Sequence, residues 1–144
     1  MAWEKADRVL EMNFIEISQI NGQKPVTILR VMERINLGNV DQLEQAAREA
    51  YRQGNHNLII DLGRVDSITS AGLRAILVIY KLLGGEKATS SYSNTGIRLP
   101  EKPRKSASLK LMHVTPEVRN VLHIAGFEDY LEIYDSEAEA LSSF

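Results

Sequence analysis

Apolar residues in this chain change from strand-like to helix-like spacing several times. Two extended segments come first, at about Asn13 to Ile20 and Val26 to Ile35. Asn21-Gly22 lies between them and is a strong signal for a tight turn. The first part of the chain is therefore predicted to form an antiparallel hairpin.

The pattern after the hairpin is helical. Asn39 and Gln42 have the spacing of a capping box, and Gly54 is predicted to close the helix in a left-handed conformation. Five residues at helical spacing predict one buried side, and they are Val40, Leu43, Ala47, Ala50 and Tyr51.

The central segment, Asn57 to Leu83, joins an apolar strand to an apolar helix through a turn rich in hydroxyls. Leu58 to Leu62 is an unbroken run, typical of a strand covered on both faces. The helix is predicted from about Ala71 to Leu83. Ser70 stands at its start, where it has two possible roles: it caps the free N–H groups, or it carries a phosphate that those groups stabilise.

Strand and helix alternate again in the last third of the chain. Leu109 to Val114 is predicted as a strand, and Thr115-Pro116 opens a helix that Gly126 ends. Leu131 to Tyr134 is a short strand, and Ser136 with Glu139 is predicted to cap a final helix.

The resulting order is β-β-α-β-α-β-α-β-α, which predicts an α/β fold with a mixed sheet and an antiparallel first hairpin. Met1 to Met12 has two readings, either a short helix through Trp3, Val9 and Leu10 or a frayed end. The length of 144 residues suits a single domain, 1–144, with a core of about 13–141.

Gly84 to Ser108 differs from the rest of the domain. Of its residues three are Gly, two are Pro and seven are Ser or Thr, and its charged side chains give a net charge of +3. Long loops inside compact domains are either functional or mobile. We expect a flexible, solvated insertion, with a basic binding element as the alternative.

Composition excludes several functional classes. The net charge of −2 provides no basic field for nucleic acid, and the absence of cysteine removes disulfides and thiolate chemistry. No signal peptide and no membrane-spanning apolar run is present, so a cytoplasmic protein without membrane insertion is expected.

Motifs for catalysis and cofactors are missing. The chain contains no GxxxxGK[ST], GxGxxG or HExxH, and its histidines, His56, His113 and His123, lack a second ligand at metal spacing. Ser70 also lacks the GxSxG context of a hydrolase. We therefore expect no enzyme, no metal and no cofactor. His113 is predicted in a strand and His123 in a helix.

The run LIIDLGRVDSITSAGLRAILVIYK resembles the signature of STAS domains, especially bacterial anti-sigma factor antagonists. Ile35-Asn36 with the helix around Leu43, and VTPEVRNVLHIAGFEDYLEIYDSEAEAL, resemble the rest of the domain. The resemblance spans about Phe14 to Leu141 apart from the basic insertion.

This resemblance implies a phosphorylation site. In the family, the first serine of an Asp-Ser-Ser-Gly segment is phosphorylated by a partner that is both kinase and anti-sigma factor. When the family segment is matched to this chain at Gly72 and Leu73, the acceptor is Ser70. Thr69 and Ser67 are the fallback acceptors. Three positions depart from the family pattern: Thr69 and Asn36 replace aspartates, and Ala71 replaces the second serine.

The helix after Ser70 is predicted to help dock the partner. Leu73, Ile76, Leu77 and Tyr80 form its predicted inner face, whereas Arg74, Val78 and Lys81 recur on another face. That second face is either an exposed docking surface or a solvated face with one valine. The predicted partner-binding residues are Asn36, Thr69, Ser70, Ala71, Gly72, Arg74, Val78 and Lys81.

Three functions follow, and the oligomeric state is left open. The leading one is an anti-sigma factor antagonist that binds a serine-kinase anti-sigma factor, is silenced by phosphate on Ser70 and is restored by a phosphatase. The second is an interaction subunit of a signalling or membrane-transport complex that never carries phosphate. The third is nucleotide binding, suggested by fold-level analogy alone.

Overall fold

The computed structural model describes residues 8–11, 14–21, 24–84 and 105–144, with only the backbone described for residues 8–11. Most of the predicted basic insertion, residues 85–104, lies outside the described residues, and so do Trp3 and Gly22. The prediction of a flexible insertion therefore stays a prediction.

Within the described residues, six strands form one sheet whose spatial order, β1 to β6, is the order of the chain. The first three strands are antiparallel neighbours, β1 at Arg8–Glu11, β2 at Ile15–Asn21 and β3 at Pro25–Val31. The next three continue parallel to β3, namely β4 at Leu58–Asp61, β5 at Leu109–Met112 and β6 at Glu132–Tyr134. The predicted mixed sheet with an antiparallel first hairpin is confirmed.

In the described ranges, four α-helices and one 3-10 turn connect or follow the parallel strands. They are α1 at Val40–Arg52, α2 at Ser70–Leu83, α3 at Pro116–Ile124, the 3-10 turn at Phe127–Asp129 and α4 at Glu137–Ser142. Apart from one further strand at the N-terminus, the element order agrees with the order predicted from the sequence.

That further strand is β1, where a short helix or a frayed end was predicted. Val9 pairs with Ser18 and Leu10 with Ile17 in the antiparallel register of β1 and β2. Four residues are too few to show a period, so the strand is determined by the backbone hydrogen bonds that β2 offers rather than by local sequence.

The main core lies on the face of the sheet that contacts α1, α2 and α3. Leu29, Ile60 and Leu111 are in register on β3, β4 and β5, and each is fully buried. On the opposite face a smaller cluster, which includes Ile28 and Ile59, packs against Ala140 of α4. Coverage on both faces explains the unbroken apolar sequence of β4.

Most predicted helix ends are confirmed. Thr115 and Ser136 each accept a hydrogen bond from a backbone N–H in the first turn of α3 and α4, at 3.4 and 3.1 Å. Gly54 and Gly126 have φ of +92° and +82°, the left-handed conformation that glycine adopts without strain.

The capping box predicted for α1 is wrong. Asn39 occupies the N-cap position but makes no side-chain bond to the helix, because its buried amide is used by the preceding loop. The Asn39 Oδ1 accepts from the backbone N–H of Asn36 at 2.8 Å, and its Nδ2 donates to the carbonyl oxygen of Arg34 at 2.9 Å.

Candidate functional site

The site predicted around Ser70 lies where β4 leads into α2, at the edge of the sheet reached by the carboxyl ends of the parallel strands. Thr69 has an extended backbone, and its hydroxyl accepts a hydrogen bond from the N–H of Gly72 at 3.4 Å. Thr69 is thus the N-cap, and the helix begins at Ser70, one residue before the predicted start. An N-cap role for Ser70 is therefore wrong, since its backbone is already helical.

The side chain of Ser70 is exposed, and within the described residues its hydroxyl takes part in no hydrogen bond. It stands at the first position of a helix of 14 residues, where the free N–H groups favour a negative charge. The fallback acceptors are also exposed, but the Thr69 hydroxyl already serves as the cap, and Ser67 lies in the loop before the helix.

Gly72 allows two loops to approach the start of α2. A Cβ atom at this position would lie 2.7 Å from Cγ1 of Ile68 and 3.4 Å from Cγ2 of Ile35. Ile68 belongs to the β4–α2 loop, and Ile35 belongs to the loop between β3 and α1. The absence of a side chain at Gly72 therefore lets both loops pack against the helix start.

Asn36 organises the β3–α1 loop. Its Oδ1 accepts hydrogen bonds from the N–H groups of Gly38 and Asn39, at 2.7 and 3.1 Å. The amide side chain forms a local turn of the kind that Asn and Asp share. The structure therefore places Asn36 on a loop that adjoins the helix start, although its side chain acts within its own loop.

An exposed ion pair links the two loops. Arg34 donates from Nε and Nη2 to the two carboxylate oxygens of Asp66, at 3.4 and 3.3 Å. The hydrogen bonds from Arg34 and its charge hold the pKa of Asp66 below its ordinary value. Asn36, Thr69, Ser70, Ala71 and Gly72 thus lie on or beside two loops that are joined to each other.

The second face of α2 is not the exposed surface that the spacing suggested. Val78 is 1% exposed and Lys81 is 5% exposed, while Arg74 is half-buried. The helix carries apolar side chains on most of its circumference, and such a helix is normally enclosed. The prediction of exposure at Val78 and Lys81 is wrong, and a role for these residues and Arg74 in partner binding stays a prediction.

Sequence reasoning missed a charged network at the same edge of the sheet. Arg30 donates from Nε to Asp61 at 2.8 Å and from Nη1 to Glu16 at 2.7 Å. The hydrogen bond from Arg30 to Asp61 is the main cause that raises the pKa of Arg30. The one signal in the sequence was a carboxylate, Asp61, inside an apolar strand.

His113 belongs to this network and differs from its predicted place in a strand. It follows β5 with a left-handed φ of 59°, and its Nδ1 lies 3.2 Å from Oδ1 of Asp61. The N–H of Gly63 donates to the same Asp61 oxygen at 2.9 Å. The network therefore fixes the ends of β3, β4 and β5, and with them the start of the β4–α2 loop.

Two features of other functional classes are absent from the described residues. No three His, Asp or Glu side chains in this part of the chain are grouped so that they could hold a metal ion. None of the helices in the described ranges has both the length and the apolar character that crossing a membrane requires.

The chain is similar to several proteins that are named as anti-sigma factor antagonists. BtrV of Bordetella bronchiseptica, named as a candidate anti-sigma factor antagonist, is 29% identical over 110 residues, which are 76% of this chain and 78% of BtrV.

Two solved structures share the fold. An anti-sigma factor antagonist from Mycobacterium paratuberculosis has a TM-score of 0.64 at 22% identity and covers 93% of this chain and 97% of its own. The Bacillus cell fate determinant SpoIIAA in its phosphorylated form has a TM-score of 0.57 at 16% identity, and the match covers 88% of this chain and 96% of SpoIIAA. The family model of the STAS domain matches residues 18–92, just over half of the chain, and the protein therefore belongs to the STAS domain family.

Proposed function

We propose that this protein is an anti-sigma factor antagonist that acts in the cytoplasm by binding a serine-kinase anti-sigma factor, and that phosphorylation of Ser70 ends the binding. It works as a binding partner rather than as an enzyme. The observation that carries the proposal is the exposed Ser70 hydroxyl at the first position of α2, which is not needed as a cap because Thr69 fills that role.

The position of Ser70 suits a reversible modification. A phosphate adds a charge of about −1.5 to −2, and a helix N-terminus stabilises an anion by roughly 0.3–2 kcal/mol. The domain should therefore remain folded when Ser70 is phosphorylated. The charge acts instead on the complex, since a 100-fold loss of affinity needs about 2.7 kcal/mol, which a dianion buried in an interface can supply.

The departures from the family pattern leave the local geometry in place. Thr69 caps α2 with its hydroxyl, as a carboxylate at the same position would. Asn36 forms its turn through an amide oxygen, as an aspartate would through a carboxylate oxygen. What changes is the charge, because both positions are neutral here. We therefore expect the partner kinase to recognise a less acidic surface than the family pattern offers.

Phosphorylation can be tested directly. The purified protein is incubated with ATP and, one at a time, each serine-kinase anti-sigma factor encoded in the source genome, and the modified residue is mapped by mass spectrometry. We expect a single phosphate on Ser70, none on Ser70→Ala, and full phosphorylation of the matched variant Ser67→Ala. A phosphate on Ser67 or Thr69 would contradict the site.

Binding provides the second half of the test. Isothermal titration with the same kinases should show that Ser70→Asp binds at least about tenfold more weakly than the wild type, by the charge argument above. Ser70→Ala should bind as the wild type does. Absence of both phosphate transfer and binding with every kinase would refute the proposed function.

A second candidate is an interaction subunit of a signalling or membrane-transport complex that is never phosphorylated. It is favoured by the neutral side chain of Asn36, which a kinase that reads an aspartate at this loop would not recognise. A pull-down distinguishes the two, because this candidate requires a stable complex without an anti-sigma factor and with equal recovery of wild type and Ser70→Asp.

A further inference from the structure

Leu37 is the most exposed large hydrophobic side chain among the described residues, at 82%, and Ile124 is the second, at 76%. Leu37 lies in the loop between β3 and α1, directly after Asn36. Single exposed hydrophobic residues are common on protein surfaces and need no explanation by themselves. The surroundings of Leu37 must therefore distinguish it from such a residue.

The first distinguishing feature is the hydrogen bonding of the loop. Asn36 and Asn39 flank the segment and bond to each other in both directions, from Asn36 N to Asn39 Oδ1 at 2.8 Å and from Asn39 N to Asn36 Oδ1 at 3.1 Å. Gly38 N donates to the same Asn36 oxygen at 2.7 Å. A side chain presented by a fixed backbone loses less conformational entropy on binding than one on a mobile loop.

The second feature is the position of the loop beside Ser70. Ile35 is fully buried against the start of α2, with Cγ2 3.4 Å from the place of a Cβ at Gly72. Leu37 follows Ile35 by two residues, and Ser70 precedes Gly72 by two. Two residues span about 7 Å of chain, so Leu37 and Ser70 lie within roughly 20 Å of each other. A standard interface of about 800 Å² per partner is large enough to contain both positions.

The third feature is the contrast with Ile124. Ile124 is the last residue of α3, whose first residue follows the carboxyl end of β5. The nine residues of α3 carry its end about 13 Å away from that edge of the sheet. Ile124 is thus an exposed aliphatic side chain of similar size that lies away from the start of α2.

We propose that Leu37 is the apolar anchor by which this protein binds its anti-sigma factor, and that the partner presents an apolar pocket beside the place where it holds Ser70. This inference rests on the proposed function. The buried side chain of Leu37 supplies affinity, and a phosphate on Ser70 abolishes that affinity. Recognition and switching are therefore assigned to different residues of one surface. The linked Arg34–Asp66 pair forms the polar border of that surface.

The test uses the full-length protein and the purified kinase that phosphorylates it. Isothermal titration compares wild type, Leu37→Ala, Leu37→Met and the matched control Ile124→Ala. Burial of a leucine side chain is worth about 1.5–3 kcal/mol, so Leu37→Ala should raise Kd by about 10- to 100-fold. Leu37→Met keeps the apolar volume and should bind within about threefold of wild type. Ile124→Ala should bind as wild type does.

The variants should keep the wild-type midpoint in urea, because both side chains are exposed. Unchanged affinity of Leu37→Ala, or an equal loss in Ile124→Ala, would overturn the inference while the proposed function stands. Absence of wild-type binding and of phosphate transfer would overturn both. Sedimentation velocity tests whether Leu37 instead contacts a second copy of the chain. This would be shown if the wild type were a dimer, if Leu37→Ala were a monomer, and if the affinity for the partner were unchanged.

Discussion

The side chain of Ile68 lies so close to Gly72 that a Cβ atom on this glycine would be 2.7 Å from Cγ1 of Ile68. Gly72 has an ordinary helical backbone, so the space that it leaves is used for packing and not for an unusual conformation. The contact joins the last turn of the β4–α2 loop to the helix that carries Ser70. The packing of the β4–α2 loop against the helix therefore depends on the absence of a methyl group at Gly72.

Gly72→Ala should destabilise the domain. Overpacking costs typically about 1–3 kcal/mol, while alanine regains about 0.8–1 kcal/mol of helix propensity, so a net loss of up to about 2 kcal/mol is expected in urea denaturation. Gly84→Ala is the control, because its Cβ would be 3.4 Å from the carbonyl oxygen of Tyr80 and φ is −82°. Equal stability of Gly72→Ala and wild type would show that Ile68 moves aside freely.

Substitutions at Thr69 and Ser70 should affect the free energy of unfolding differently, because only Thr69 caps the helix. Thr69→Ala removes the hydroxyl that accepts from Gly72 N, and loss of an N-cap costs about 1 kcal/mol. Thr69→Ser keeps the cap and should be close to wild type. Ser70→Ala removes a hydroxyl that bonds to no described residue, so its unfolding free energy should change by less than about 0.5 kcal/mol. A larger loss in Ser70→Ala than in Thr69→Ala would reverse the assignment of the cap.

Much of the fold could be predicted from the sequence, because strands β2 to β6 and all four helices have clear apolar periods or end signals. The candidate site was harder to predict from the sequence. Exposure at Val78 was inferred from helical spacing alone, and spacing cannot show what packs against a face. The side chain of Asn39 can either cap α1 or bond to the preceding loop, and the sequence is compatible with both. Only the folded loop shows which of these hydrogen bonds forms.

Arg30 should be more important for stability than its surface position suggests. Arg30→Ala leaves the carboxylate of Asp61, 6% exposed, without its main partner, and breaking such a pair costs about 3 kcal/mol. The double variant Arg30→Ala, Asp61→Asn should recover part of the loss because the unpaired charge is gone. Arg34→Ala breaks an exposed pair and should lose far less. Similar losses for Arg30→Ala and Arg34→Ala would contradict the buried character of the network.

The carboxylate of Glu132 should make the free energy of unfolding decrease at acidic pH. Its pKa is below the ordinary value of 4.5 mainly because Lys110, 3% exposed, donates to it at 2.5 Å, with a further hydrogen bond from Tyr134. A group whose pKa is lowered by folding stabilises the protein above its unfolded pKa, and this contribution is lost as pH falls through the folded pKa.

Wild type should therefore be more stable than Glu132→Gln at pH 7, and the difference should shrink as the pH is lowered from 7 to below 4.5. Urea denaturation across this range measures the difference, with Glu33→Gln, an exposed position on the β3–α1 loop, as the control. A difference that is constant across the whole range would rule out the contribution of the Glu132 charge.

The agreement between sheet order and chain order has a consequence for synthesis of the protein. Each strand from β2 to β6 pairs with the strand that precedes it in the chain, so its partner has already left the ribosome when it emerges. Chains fold from the N-terminus at the pace of translation when the required contacts are already available. We expect the sheet to grow strand by strand during synthesis, with the Ser70 surface complete only once α2 packs against α1 and β5 has been added to the sheet.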